Sequence, residues 1–189
     1  MNDTLSEMNR RIEVCRKCAL WKTRRKPVYG EGFETAKIMV VGLGPGYHEN
    51  LEGKPFVGAA GKLLDELLAL AKLDRKEFYL TNIIKCYLPN NQPTEEEITA
   101  CTPYLDKQIN LINPKTIIPL GNIANNYLFK KFRLPLASIG NLHGKIFSVS
   151  TLFSHVTVIP MYHLAAALRN PGLKNVVIND WRKLAEISW

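Results

Sequence analysis

No apolar run in this 189-residue chain approaches the roughly 20 residues that a membrane-spanning helix needs. The first stretch, "MNDTLSEMNRRIEVC", is polar and charged where a secretory leader would be apolar. A reducing cytosol is the expected setting. Cysteine is scarce, four residues in all, and in such a compartment clustered cysteines bind metal more often than they form disulfides. Acids are in the minority, 17 against 25 lysines and arginines, for a net charge of +8. That surplus favours a polyanionic partner, although a merely basic soluble protein has the same balance. The glycine-rich turn "GLGPG" (42–46) lacks the lysine–serine or lysine–threonine pair of a phosphate loop. Pro45 also breaks the dinucleotide fingerprint, so a nucleotide cofactor is disfavoured. Repeats and low-complexity segments are missing too.

What is present reads as globular, with 46% hydrophobic and 22% charged residues. The length suits one domain, residues 1–189, with 1–36 packed on it as an N-terminal segment. "KIMVVGLGPG" (37–46) is an apolar run ended by a turn, hence a buried strand. "AAGKLLDELLALAKL" (59–73) spaces its leucines as a helix does. "FYLTNIIKC" (78–86) predicts a second strand, and Thr94 with Glu97 forms a capping box opening a helix over 94–112. "KTIIPLG" (115–121) is a third strand, "NIANNYLFKKF" (122–132) a helix, and "VTVIPMYH" (156–163) a fourth strand. A closing helix is predicted from Asn175 to Trp189, and 133–154 is an irregular excursion with room for a short hairpin. This alternation predicts an α/β fold of three layers, α/β/α, around a four-stranded parallel sheet.

Ligands of such sheets bind beyond the carboxyl ends of the strands. There stand "GLGPG", "TN" (81–82), "LGN" (120–122) and "MYH" (161–163). Each could be an ordinary turn: glycine permits tight reversal, a strand-end asparagine makes turns, and a lone histidine is usually structural. The cysteines are spaced C-x2-C at Cys15 and Cys18, then C-x14-C at Cys86 and Cys101. Four thiolates suit structural zinc or an iron–sulfur cluster equally well on residue chemistry alone.

Taken in order, "CRKC", "GLGPGYHENLEGKPFVGAAGKLLD", "LTNIIKC", "PKTIIPLG" and "YHLAAALRNP" resemble the iron–sulfur uracil-DNA glycosylases, family 4 of their superfamily. The resemblance runs from Cys15 to the last helix. It implies a [4Fe–4S] cluster on Cys15, Cys18, Cys86 and Cys101, structural in role, pinning the basic segment "CRKCALWKTRRK" to the body. It implies uracil-containing DNA as partner, single- or double-stranded, and a monomeric, cytoplasmic enzyme at the nucleoid of a prokaryote. Phe56 becomes the aromatic face for a flipped uracil and Asn82 the amide that reads its edge, with Gly42, Leu43 and Gly44 lining the pocket. His163 becomes the catalytic donor to uracil O2, and Glu49 a catalytic acid near the C5 edge that excludes a methyl group or helps place water. Leu164 is expected to act as an apolar wedge in DNA, and Arg169 to contact the minor groove or a phosphate.

Three residues depart from the family pattern. Leu43 stands where glutamate is usual and matches the sister family 5, which accepts more bases. Asn50 replaces an aspartate, and Leu164 a proline. A degenerate DNA-binding module that kept fold and cluster is the competing reading. Phe56, Asn82 and His163 together argue against it, since a mere binder has no use for a uracil-shaped pocket. A zinc-stabilised nucleotide hydrolase, a third reading, lacks any catalytic metal or phosphate motif.

Overall fold

The computed structural model describes residues 4–150 and 155–187. The chain opens on α1 (Leu5–Glu13), which the sequence reading did not anticipate. Thr4 and Glu7 close a capping box on its first turn, the same device that starts α4 (Glu95–Ile112) through Thr94 and Glu97. Between them lie β1 (Ile38–Gly42), α2 (Tyr47–Glu52), α3 (Ala59–Leu70) and β2 (Phe78–Asn82). After α4 come β3 (Thr116–Pro119), α5 (Gly121–Lys131), the short α6 (Ile139–Leu142) and β4 (Phe147–Ser150). The chain finishes with β5 (His155–Val158), α7 (Leu164–Arg169) and α8 (Pro171–Leu184).

The sheet has five strands in the order β2-β1-β3-β5-β4. Four are parallel, as expected; the fifth, β4, pairs antiparallel with β5 and forms one edge. The four-strand expectation is thus corrected by one. The excursion does hold a hairpin, because β4 borrows the expected fourth strand as its partner; the connecting residues 151–154 lie outside the described residues.

All five residues of β1 are buried, because helices cover both faces. Met39 and Val41 join a cluster with Met8 and Ile12 of α1, Leu105 of α4 and Leu128 of α5. Ile38 and Val40 point the other way, to Leu64 and Leu67 of α3, Leu164 of α7 and Trp181 of α8. Burying one such leucine contributes about 2 kcal/mol. The strand's two-residue period therefore separates two cores, and the three-layer α/β/α class holds.

Several boundaries move. Strand β2 ends at Asn82, so Cys86 lies on the loop beyond it and not at a strand end. Helix α8 starts at Pro171, with the Asn170 side chain accepting from Gly172 N at 3.0 Å, ahead of the expected Asn175. Asparagine at the cap followed by proline is a helix start that the sequence reading passed over. Every carboxyl end of the parallel strands opens onto the same rim of the molecule.

Candidate active site

Gly42 closes β1 in register with Asn82, the last residue of β2. A β-carbon at Gly42 would collide with Asn82 Oδ1 and stand 2.9 Å from Phe56 Cζ. The missing side chain therefore leaves a slot between an aromatic ring and a carboxamide. Asn82 is buried, and its side-chain amide has no protein partner among the described residues. With no protein partner, the amide is open to a ligand or to water.

Phe56 is held firmly. Its backbone takes φ +53°, an unusual conformation for a side chain of this bulk. Arg75 Nη2 donates to the carbonyls of Pro55 and Phe56, each at 3.2 Å, while the same guanidinium pairs with Asp65 at 2.6 Å. Gly61 in α3 makes room, since a β-carbon there would run into the Phe56 carbonyl. Glu49 completes the clamp: its Oε1 accepts from Val57 N at 3.0 Å and Gly58 N at 2.8 Å. The carboxylate sits at the N-terminus of α3, where the backbone donors favour negative charge. Glu49, expected as a catalytic acid, is seen here fixing the loop that carries Phe56.

His163 is the N-cap of α7, and its Nδ1 accepts from Ala165 N at 3.2 Å. With Nδ1 accepting, the neutral ring carries its proton on Nε2. Desolvation by burial lowers the His163 pKa, and the positive charge of Arg169 lowers it further. The imidazole is thus a neutral donor at physiological pH. Gly121, at φ +81°, lets the start of α5 pass close to it; a β-carbon there would lie 2.9 Å from His163 Cβ. A groove of about 360 Å³ brings His163 together with Leu43, Asn91, Asn122 and Arg169. Leu43 follows Gly42 directly, so groove and slot share one turn.

Two expected roles change. Leu164 is fully buried and packs in the core under α7, so it cannot enter a base stack as placed; Leu168, one turn further along the same short helix, is 49% exposed. The reason is local: residues 164–169 form a helix whose first residue faces inward. Gly44 turns its open side to Ile84 Cβ (3.3 Å) and Leu88, so it serves the packing of the 84–88 loop and can reach the pocket only through its backbone.

The four cysteines line one cavity together with Lys17, Arg24, Lys85 and Tyr104. Arg24 Nη1 donates to Cys86 Sγ at 3.2 Å, and Lys85 N to Cys101 Sγ at 3.3 Å. Burial raises the thiols of Cys18, Cys86 and Cys101, the last to about 11. Among the described residues, no group of three or more His, Cys, Asp or Glu is gathered to hold a metal ion. The basic segment that follows is tied back to the first motif, since Asn50 Oδ1 accepts from Arg25 N at 2.7 Å and Lys26 N at 3.4 Å. Asn50 thus does a structural task for which a neutral amide oxygen suffices.

The sequence reading missed Lys85 and Gln108, both buried. Lys85 Nζ donates to Thr81 Oγ1, Asn82 O and Gln108 Oε1, each at 2.7 Å. Burial lowers its pKa to about 7, with Cys101 acting in the opposite direction. The only signal was a lysine inside the apolar run "TNIIKC".

The family model for the uracil DNA glycosylase superfamily matches residues 29–185. A type-4 uracil-DNA glycosylase of Saccharolobus solfataricus is 45% identical over 97% of this chain and 86% of its own length. The chain belongs to the type-4 uracil-DNA glycosylases. A second member, from Archaeoglobus fulgidus, is 43% identical over 98% of this chain and 94% of its own length. A type-5 uracil-DNA glycosylase of Pyrobaculum aerophilum is 28% identical over 85% of this chain and 75% of its own length. Leu43, the residue expected of the sister family, therefore stands in a type-4 glycosylase whose overall likeness is to type 4. The match takes in the turn at Gly42, the clamp on Phe56, Asn82 and the helix that His163 caps.

Proposed function

We propose that this protein is a DNA repair glycosylase that flips uracil out of DNA and hydrolyses its N-glycosidic bond, leaving an abasic site. The observation that carries the reading is the partnerless Asn82 amide facing Phe56 across Gly42. Uracil presents a donor at N3 and an acceptor at O4. Asn82 Oδ1 would accept from N3–H while Nδ2 donates to O4, and the Phe56 ring would stack on the base face. Cytosine reverses that pattern and would leave the amide mispaired.

As the bond from N1 to C1′ breaks, its electron pair leaves with the base and charge gathers on O2. The Nε2–H of neutral His163 supplies a donor where that charge grows, so it stabilises the transition state more than the ground state. Water then adds to C1′ of the oxocarbenium-like sugar and gives its proton to solvent. With Leu43 in the usual glutamate slot, backbone groups of the first turn and the free Oε2 of Glu49 are the polar atoms left to hold that water. Arg169, exposed at the end of α7 beside His163, serves a phosphate, and Leu168 takes the wedge role intended for Leu164.

Cys15, Cys18, Cys86 and Cys101 would hold a [4Fe–4S] cluster, whose part is structural cross-linking of the N-terminal segment to α4. One feature supports this donor set: all four thiols border one cavity. Arg24 would offset cluster charge through its contact with Cys86. The net charge of +8 fits DNA. No helix of the described residues is long and apolar enough to cross a membrane. We read the protein as one domain, acting as a monomer in a prokaryotic cytoplasm.

The test is excision from labelled duplexes and single strands carrying uracil, hypoxanthine, xanthine or mispaired thymine. Release of uracil, slowed by about a hundredfold or more but still measurable in Asn82→Ala, is expected. Binding without excision from any of them would establish the DNA-binding module instead. Iron and labile sulfide in the purified protein, with broad visible absorption, are expected; zinc alone would overturn the cluster.

A further inference from the structure

The base-reading amide is not held by its own strand alone. Asn82 ends β2, and the chain leaves the sheet immediately after it. Beneath it lies a buried polar network that a glycosylase mechanism does not require. Lys85, 1% exposed, extends its side chain back toward the strand it has just left. An ammonium has three donors and no acceptor. Here it meets three acceptors, Thr81 Oγ1, Asn82 O and Gln108 Oε1, each at 2.7 Å. Its donors are fully used, and two of the three acceptors belong to Thr81 and Asn82 themselves.

Gln108 anchors the network to the rest of the molecule. It is fully buried in α4, and its Nε2 donates to Tyr29 O at 2.6 Å and Tyr79 Oη at 3.1 Å. Thr81 Oγ1 lies 3.1 Å from the same Tyr29 carbonyl. The other end of Lys85 is fixed as well, since its backbone N–H donates to Cys101 Sγ at 3.3 Å. One residue thus ties the last two positions of β2 to α4, with both of its ends held.

We infer that Lys85 is a positioning residue that sets the backbone of Asn82, and so the aim of its amide at the base, through the three-acceptor contact of its ammonium. The inference rests on Asn82 being the base reader. It adds a determinant of uracil recognition that touches no substrate atom. A buried lysine of this kind is an expensive choice for packing alone, because an apolar residue would fill the same space without desolvating a charge. Its geometry has a use where a strand end must be held to within a fraction of an ångström.

A double-mutant cycle on uracil excision under single-turnover conditions tests this. Lys85→Met keeps the length of the side chain and removes its donors. It should slow excision about tenfold or more, as expected when buried acceptors lose their partner. Affinity for abasic-site DNA should hold, because the DNA-contacting surface is untouched. If Lys85 acts through Asn82, the double variant with Asn82→Ala should be no slower than Asn82→Ala alone, within about twofold. Fully multiplicative losses would overturn the inference and leave Lys85 a general stabiliser. Should Lys85→Met fail to fold or to retain iron, Gln108→Leu removes one acceptor and leaves the lysine in place. It should show a smaller loss and the same non-additivity with Asn82→Ala; multiplicative losses there would equally overturn the inference. Undiminished excision by Asn82→Ala would instead bring down the reading of Asn82 beneath it.

Discussion

The ring tip of Phe56 and the amide oxygen of Asn82 face each other across the bare α-carbon of Gly42, with no room between them for even one methyl group. One residue belongs to a clamped loop and the other to a strand end, so the distance between them is set by two separate scaffolds. Arg75 and Glu49 fix the first, and Lys85 the second. The pocket is as accurate as those supports.

Gly42→Ala tests the slot. Its methyl group would push Asn82 and Phe56 apart and so misplace the two groups that receive the base. Excision of uracil should fall by at least about a hundredfold, the scale of losing a principal transition-state contact. The crowding should also cost about 1–3 kcal/mol of stability, while DNA affinity should persist. A variant that excises at the normal rate would show that uracil does not enter there.

His163→Ala should slow single-turnover excision by about a hundredfold to a thousandfold, with binding of uracil-containing DNA nearly unchanged. The pH profile gives a second check. The native pKa is lowered from the ordinary histidine value of 6.5, by burial and then by Arg169. Protonation removes the Nδ1 acceptor used by Ala165 N and spoils the neutral donor. Activity should therefore be level above pH 6.5 and decline only as pH falls through the lower native value. Stability follows the same sign: the unfolded chain takes up the proton first, so the contribution is complete above 6.5 and fades on acidification through the native pKa. A decline beginning above pH 7 would contradict this.

Leu43→Glu restores the usual residue to a groove it shares with His163. A carboxylate there can polarise the attacking water, so uracil excision should be preserved or raised. The penalty of His163→Ala should shrink in that background, because catalysis is then shared. Measuring all four proteins on one uracil duplex decides it; a Leu43→Glu protein slower than the parent would show that the leucine is needed.

The two leucines of α7 should separate cleanly. Leu164→Ala opens a cavity in a full core and should cost about 2–5 kcal/mol of stability. Leu168→Ala, at a half-exposed position, should leave the melting temperature alone. It should also slow excision from duplex more than from single strands, since only a duplex has a gap to fill. Equal losses on both substrates would remove Leu168 from any wedge role.

The legible part of this protein was whatever repeats along the chain or has a local signature. The apolar run of β1, the leucine spacing of α3 and the Thr94–Glu97 box are such features, and they led to the right layers. Phe56, Asn82 and His163 were singled out by motif resemblance; the structure sets Phe56 and Asn82 beside Gly42 and His163 in a groove with Leu43. The fifth strand was obscured because β4 is short and half-exposed, with no buried face to pattern it. Leu164 was misjudged because six residues are too few to display a helical period. Lys85 and Gln108 lie 23 positions apart and meet only in space, so nothing along the chain could have announced their contact.

The left-handed backbone of Phe56, pinned by Arg75 and Glu49, bears on how such a protein searches DNA. A wall already rigid before any base arrives needs no closure to become selective. Each nucleotide that swings outward meets the finished shape at once, and the wrong ones leave without having reorganised the protein. Rejection is then as quick as the swing itself, and the time spent per genome is governed by sliding and base opening. Loosening that wall by Arg75→Ala should lengthen the stay at undamaged sites before it alters the chemistry at damaged ones.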